Sequence, residues 1–232
     1  LGDFANSRGA ADMGLLPDGA DPEESAARSE QGKPVRTEVS FTLAEVLYFP
    51  AFYLLTVAFV LLFMVGPGMI FHLLPYLKDK GLEPGQAVWV LAVWSAAGAA
   101  GSLMAGVVTA RLGPRRTLSG SFVLMALGLG FLLLVNSFPL GLLWGLYMGI
   151  LFGGVFNTLY QVTFADYFGR DSLGKINGAI WPVQMVSNAS GPLVAAIAYD
   201  IAGSYYPIFT FFAALVLVCA ALTFFARPPR RA

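Results

Sequence analysis

Residues 106–116 read Gly-Val-Val-Thr-Ala-Arg-Leu-Gly-Pro-Arg-Arg and stand between two apolar runs, 87–110 and 117–135. Each run is roughly long enough to cross a bilayer core of about 30 Å as a helix. Three arginines crowded into a Gly/Pro turn between two such helices cannot lie in hydrocarbon. The turn must sit in water, and the excess of Lys and Arg in inner loops assigns that water to the cytoplasmic side. The orientation of every other segment follows from this one loop.

Hydrophobic residues make up 57% of the chain and charged residues 12%, against about 45–50% and 25% for a soluble domain. Six apolar runs are read along it: 51–77, 87–110, 117–135, 140–165, 176–199 and 205–226, none with Asp, Glu, Lys or Arg in its interior. The connections between them are short. With the first run entering from inside, only Lys78 and Lys80 of the 14 lysines and arginines fall on the outer side. The expectation is an integral membrane protein with both termini cytoplasmic.

Before the first run, residues 1–41 are polar, charged and without helical or strand periodicity, and are read as a cytoplasmic, largely disordered linker. No cleavable signal peptide opens the chain, and it starts on Leu1 rather than Met, so it is read as part of a longer protein. Thr42 with Glu45 three residues on spells a capping box, and Pro50 resets the chain at a helix start. An ordinary helix start and a short surface helix on the inner leaflet both fit. Residues 42–229 form the membrane domain and 230–232 a cytoplasmic tail.

The loop at 106–116 resembles the signature that joins the second and third helices of each half of the major facilitator superfamily, G-x-x-x-D-R-x-G-x-R-R. Gly106, Arg111, Gly113, Arg115 and Arg116 match it, and Ala110 stands where the family usually has Asp. Two further stretches look familial. The segment 12–19, Asp-Met-Gly-Leu-Leu-Pro-Asp-Gly, is similar to the one after the sixth helix of many bacterial members. The Tyr-Phe-Gly-Arg of 167–170 with the Gly174-Lys-Ile-Asn-Gly178 that follows resembles the connection between the tenth and eleventh helices of monocarboxylate and oxalate/formate carriers. The resemblance implies an all-α polytopic fold of six transmembrane helices in a 3+3 inverted repeat. It further implies that this is the C-terminal six-helix half of an alternating-access secondary transporter in a bacterial inner membrane. The expected partners are the lipid bilayer, a small-molecule substrate and an N-terminal six-helix half; no nucleic acid is implied.

Polar residues inside apolar runs mark where such a protein acts, because a polar side chain facing lipid is costly. In the run 176–199, Asn177, Trp181, Gln184 and Asn188 are spaced to share one helical face, flanked by Ser187 and Ser190. They form either a hydrogen-bonding wall of the translocation cavity or glue between packed helices, and the resemblance favours the wall. Asn157, Tyr160 and Gln161 share one side of the preceding run, as cavity lining or as an inner gate. Gly149, Gly153 and Gly154 beside them allow close helix packing. Gly66, Pro67 and Gly68 suggest a hinge in the first run. His72 is a protonation switch or, the plainer expectation, bonded to a neighbour near the outer surface. Arg111, Arg115 and Arg116 gate through salt bridges and helix-end contacts, or serve topology alone, and Ala110 weakens the family's charge pairing in that loop.

The same residues exclude other chemistries. A single histidine removes any multi-histidine metal site, no cofactor is implied, and one histidine with no membrane-buried acid leaves an enzyme little to work with. Phosphate-binding glycine motifs are absent. A stand-alone six-helix channel or half-size carrier remains the alternative, although the short loops leave no room for re-entrant segments. The subfamily resemblance points to an organic anion. The runs 87–110 and 176–199 hold no cation for one, so the site residues do not support monocarboxylate transport, and a proton-coupling carboxylate would have to lie in the missing half.

Overall fold

The computed structural model describes residues 41–169 and 173–229. The remaining residues, among them the linker read over 1–41 (save Phe41), Arg170 and the tail 230–232, lie outside that description. Order begins with the capping box. Glu45 N–H donates to Thr42 Oγ1 at 3.4 Å, and Thr42 N–H donates to the Glu45 carboxylate at 2.7 Å. That box starts α1, Leu43–Val46.

The long helices follow: α2 (Pro50–Asp79), α3 (Pro84–Leu112), α4 (Pro114–Leu134), α5 (Phe138–Phe168), α6 (Leu173–Ala202) and α7 (Tyr206–Phe225). All but α6 have a proline in the first two positions, where its fixed φ suits a helix and its missing N–H leaves no bond unmade. Gly113 at φ +78° and Gly169 at φ +85° make the sharp exits from α3 and α5, in a backbone region that a side chain would strain.

Among the described residues, five helices are long and apolar enough to cross a membrane: α2, α3, α4, α5 and α7. The sixth, α6, is as long as α2 at 30 residues, but Asn177, Gln184, Ser187, Asn188 and Ser190 dilute its apolar character. It is tied along α2 instead. Ser187 Oγ donates to Val60 O at 2.6 Å, His72 Nε2 to Pro192 O at 3.0 Å, and Tyr199 Oη to Asp79 Oδ2 at 3.3 Å. The ties run from Val60 to Asp79 on α2, about 28 Å at 1.5 Å per residue. The fold is therefore an all-α polytopic bundle.

Packing follows a repeating scheme. The main pairings are α2 with α6, α3 with α5, and α4 with α7; α2 also touches α7, and α4 touches α5. Exchanging α2, α3 and α4 for α5, α6 and α7 leaves this set of pairings unchanged. That is the scheme a 3+3 repeat produces. Phe59 of α2 lies at the centre, its ring centroid 4.9–6.4 Å from those of Phe122, Phe156, Tyr160 and Phe164.

The α3–α5 contact is backbone against backbone. A Cβ on Gly98 or Gly153 would press on the other glycine, and one on Gly154 would fall on the Gly101 backbone. The expectation for Gly149, Gly153 and Gly154 thus holds, with Gly98 and Gly101 as the partners of Gly153 and Gly154, and Trp94 and Ala97 against Gly149. Ala96, Ala99 and Ala100 of the same stretch point out and stay exposed. The glycines at 66 and 68 are taken up in the same way, Gly66 against the Phe152 ring and Gly68 against Phe212 and the Gly191 carbonyl. α2 runs through Gly66-Pro67-Gly68 as one helix.

A side chain introduced into this contact should separate the helices. Gly154→Leu is expected to cost about 1–3 kcal/mol, read as a lower melting temperature in detergent. Gly120→Ala, where a Cβ meets nothing within 4 Å, should leave the melt unchanged or raise it.

Candidate functional site

The interior of α5 is not α-helical throughout. Phe138–Met148 and Asn157–Phe168 are, but Gly149–Phe156 between them is a π-helix. The wider winding leaves carbonyls badly placed for the next turn, and Asn157 Nδ2 donates to two of them, Phe152 O at 3.3 Å and Gly153 O at 3.0 Å. π segments recur at functional sites because they re-aim the side chains that follow. Here those side chains are Asn157, Tyr160 and Gln161.

They face α6 across a cavity of about 280 Å3. Asn177, Trp181, Gln184 and Met185 line its α6 side and Phe63 of α2 closes one wall. Gln184 lies eleven residues into α6, about 17 Å from the end at Leu173. The cavity therefore occupies the half of the bundle nearer the arginine loop.

Four polar side chains bond in a row. Tyr160 Oη lies 3.1 Å from Gln184 Oε1 and 3.3 Å from Asn177 Oδ1, and Asn177 Nδ2 donates to Gln161 Oε1 at 3.4 Å. A phenol has one proton and serves one amide oxygen at a time. When it serves Gln184, Asn177 and Gln161 must both turn their amides over to keep the row bonded, since the O and N of an amide occupy the same outline. The row thus has two polarities, and the Tyr160 proton selects between them. Gln184 is 3% exposed, and its Nε2 has no partner among the described residues. An unpaired buried donor costs about 1–3 kcal/mol.

Of the six residues expected to bind substrate, five therefore line one cavity: Asn157, Tyr160, Gln161, Trp181 and Gln184. Asn188, a turn further along α6, is half-buried and is not among the lining residues. Asn177, expected on the same face of the run 176–199, joins the lining and the hydrogen-bond row. Its i+4 spacing to Trp181 was the signal for this. Ser187 bonds to the Val60 carbonyl and ties α6 to α2, whereas Ser190 bonds to the Ser187 carbonyl within α6, and neither is among the lining residues.

Of the other expected residues, Gly66 and Pro67 lie midway along α2, and the rest fall toward the two ends of the bundle. His72 bonds to Pro192 O and, at 3.3 Å, to Tyr205 Oη. A carbonyl only accepts, so Nε2 carries the proton whatever the state of Nδ1. At the opposite end, Arg115 Nε donates to Phe224 O at 2.8 Å and its guanidinium lies over the Phe224 ring at 5.2 Å. It therefore caps the last turn of α7, where carbonyls lack helical partners and a cation is favoured. Arg111 and Arg116 are exposed, Gly113 makes the turn, and Gly106 lies on an open face of α3.

A polytopic helical bundle with a solute-sized, uncharged cavity between two of its helices is the architecture of a membrane transporter. The chain belongs to the Major Facilitator Superfamily, whose family model matches residues 53–232. No curated protein matches it. As a member it is an integral membrane transporter, with the lipid bilayer and a small-molecule substrate as its partners; the family's members are transporters rather than enzymes.

Tyr160→Phe removes the one hydroxyl that serves Gln184 and should lower stability by about 1–3 kcal/mol, measured as a drop in melting temperature. Adding Gln184→Leu removes the stranded amide, so the double variant should recover part of the loss. Additive losses would mean the two side chains are not coupled.

Proposed function

We propose that the chain is the C-terminal six-helix half of an alternating-access carrier, and that the cavity between α5 and α6 is its part of the substrate site. The observation that carries this is the row Gln161–Asn177–Tyr160–Gln184, which ends in a buried amide donor with no partner among the described residues. Such a donor is destabilising in the resting bundle and useful to a bound acceptor. Substrate binding through Gln184 would re-polarise the row and carry the change to Asn177 and Gln161, toward the arginine-bearing end.

Support for a missing half comes from which faces are covered. In α3 only 28% of the apolar window is buried. α6, its counterpart in the repeat, buries Ile176, Ile180, Gln184, Gly191 and Ala195 and little else. Two equivalent helices left open suit a second bundle that closes on both. Rocking of the two bundles would then expose the site to each side in turn.

The substrate reading is a small organic solute held by amides and by the Trp181 and Phe63 rings. An organic anion is compatible with the subfamily resemblance if the second bundle supplies the cation. The membrane is read as a bacterial inner membrane, with both termini and the arginine loop in the cytoplasm and residues 1–41 as the linker between halves.

Uptake into vesicles by the protein with its complete reading frame tests the site, across small carboxylates and neutral solutes with and without a pH gradient. Gln184→Ala should lower uptake on the order of tenfold while inserting normally; unchanged kinetics would sink the assignment. Orientation has its own test. Cys219 is fully buried, so Lys80→Cys should react with an impermeant maleimide on intact cells and Lys175→Cys only after lysis.

A further inference from the structure

Two hollows meet at the arginine-bearing end, away from the transport cavity. One, of about 420 Å3, lies between α2 and α7, walled by Tyr53, Leu54 and Leu222. The other, of about 300 Å3, continues from the shared Pro50 and Leu54 to Phe225 and Arg227. They make one groove, apolar along its length and cationic at its end. Phe225, the last residue of α7, is 68% exposed, so Arg227 stands where the hydrocarbon stops. Arg115 nearby is engaged on the Phe224 carbonyl and ring, whereas exposed Arg227 makes no hydrogen bond or ion pair among the described residues. Tyr48, at the mouth of the groove, is 87% exposed. Its apolar ring and polar hydroxyl suit headgroup depth.

We propose that this groove binds an anionic phospholipid of the inner leaflet, with one acyl chain between α2 and α7 and the phosphate on the Arg227 guanidinium. The apolar walls accept the chain of any lipid. Selection comes from the cation, because a guanidinium pairs with phosphate oxygens through two parallel N–H bonds and a net negative headgroup adds long-range attraction. Arg227 lies beyond the span, on the side where Arg111, Arg116 and Lys175 also emerge. The inner-leaflet assignment therefore rests on the orientation proposed above, while the site itself does not depend on the transport cavity.

The test is native mass spectrometry of the full-length protein, released from micelles holding equal phosphatidylglycerol and phosphatidylcholine with identical chains. Phosphatidylglycerol adducts should exceed phosphatidylcholine about fivefold, the contribution of one arginine at an anionic surface. Arg227→Gln should bring the ratio to about one, and Lys175→Gln, a cation at the same end outside the groove, should leave it unchanged. Leu54→Trp should reduce adducts of both lipids by filling the hollow; Val57→Trp on the same wall serves if that variant fails to fold. Equal retention of the two lipids by the native protein would overturn the proposal. So would an equal loss in Lys175→Gln, or full retention with the hollow filled. Gln184→Ala should bind lipid normally, so failure of the transport site and failure of this site are separable.

Discussion

Inside a bilayer every polar group has to find its partner within the protein, because the surrounding hydrocarbon offers none. Most of the bundle's polar side chains are consumed by that requirement. Ser102, Thr109, Thr158, Thr210 and Thr223 donate back to the carbonyl four residues earlier on their own helices. Tyr76, Trp144, Tyr147 and Tyr167 reach carbonyls elsewhere in the fold, at Leu132, Gly128, Leu124 and Ala226. Each such bond both satisfies a donor and ties one part of the chain to another. Among the described residues four buried side-chain atoms go without a partner, Thr56 Oγ1, Trp94 Nε1, Thr163 Oγ1 and Gln184 Nε2. Of these only Gln184 lines the cavity between α5 and α6, where amides bond mainly to one another.

The same economy governs how the helices approach. With no hydrophobic driving force between helices in lipid, close contact depends on small residues and on dispersion between backbones. Gly98 and Gly101 against Gly153 and Gly154 bring α3 onto α5 at a point where α5 has just adopted π winding. The glycine contact and the altered winding coincide one turn before Asn157. Packing on one side of α5 and the polar face on the other are therefore linked. A helix pressed against α3 by its glycines presents Asn157, Tyr160 and Gln161 to α6.

Much of this was legible along the chain. The capping box at Thr42, the start of α2 at Pro50, the short connections and the shared face of Trp181 and Gln184 follow from local spacing. The structure extends the apolar runs by a few residues at most ends, because helix caps are polar and lie outside the hydrophobic signal. Two features were not legible. The π segment has an apolar composition indistinguishable from that of an α-helix. The engagement of Arg115 with the end of α7 joins residues that are far apart in sequence, and charge counting treats all three loop arginines alike.

The chain by itself determined a helical membrane protein, the positions of its spans and the bias of positive charge to one end. It could do so because partition between water and lipid acts on each segment separately, residue by residue. Only the tertiary structure decided which polar side chains hold helices together and which are left for a solute. That division depends on what the neighbouring helix presents. Ser187 faces the Val60 carbonyl and is spent on it, whereas Gln184, one turn earlier on the same helix, meets a single phenol and keeps a donor free.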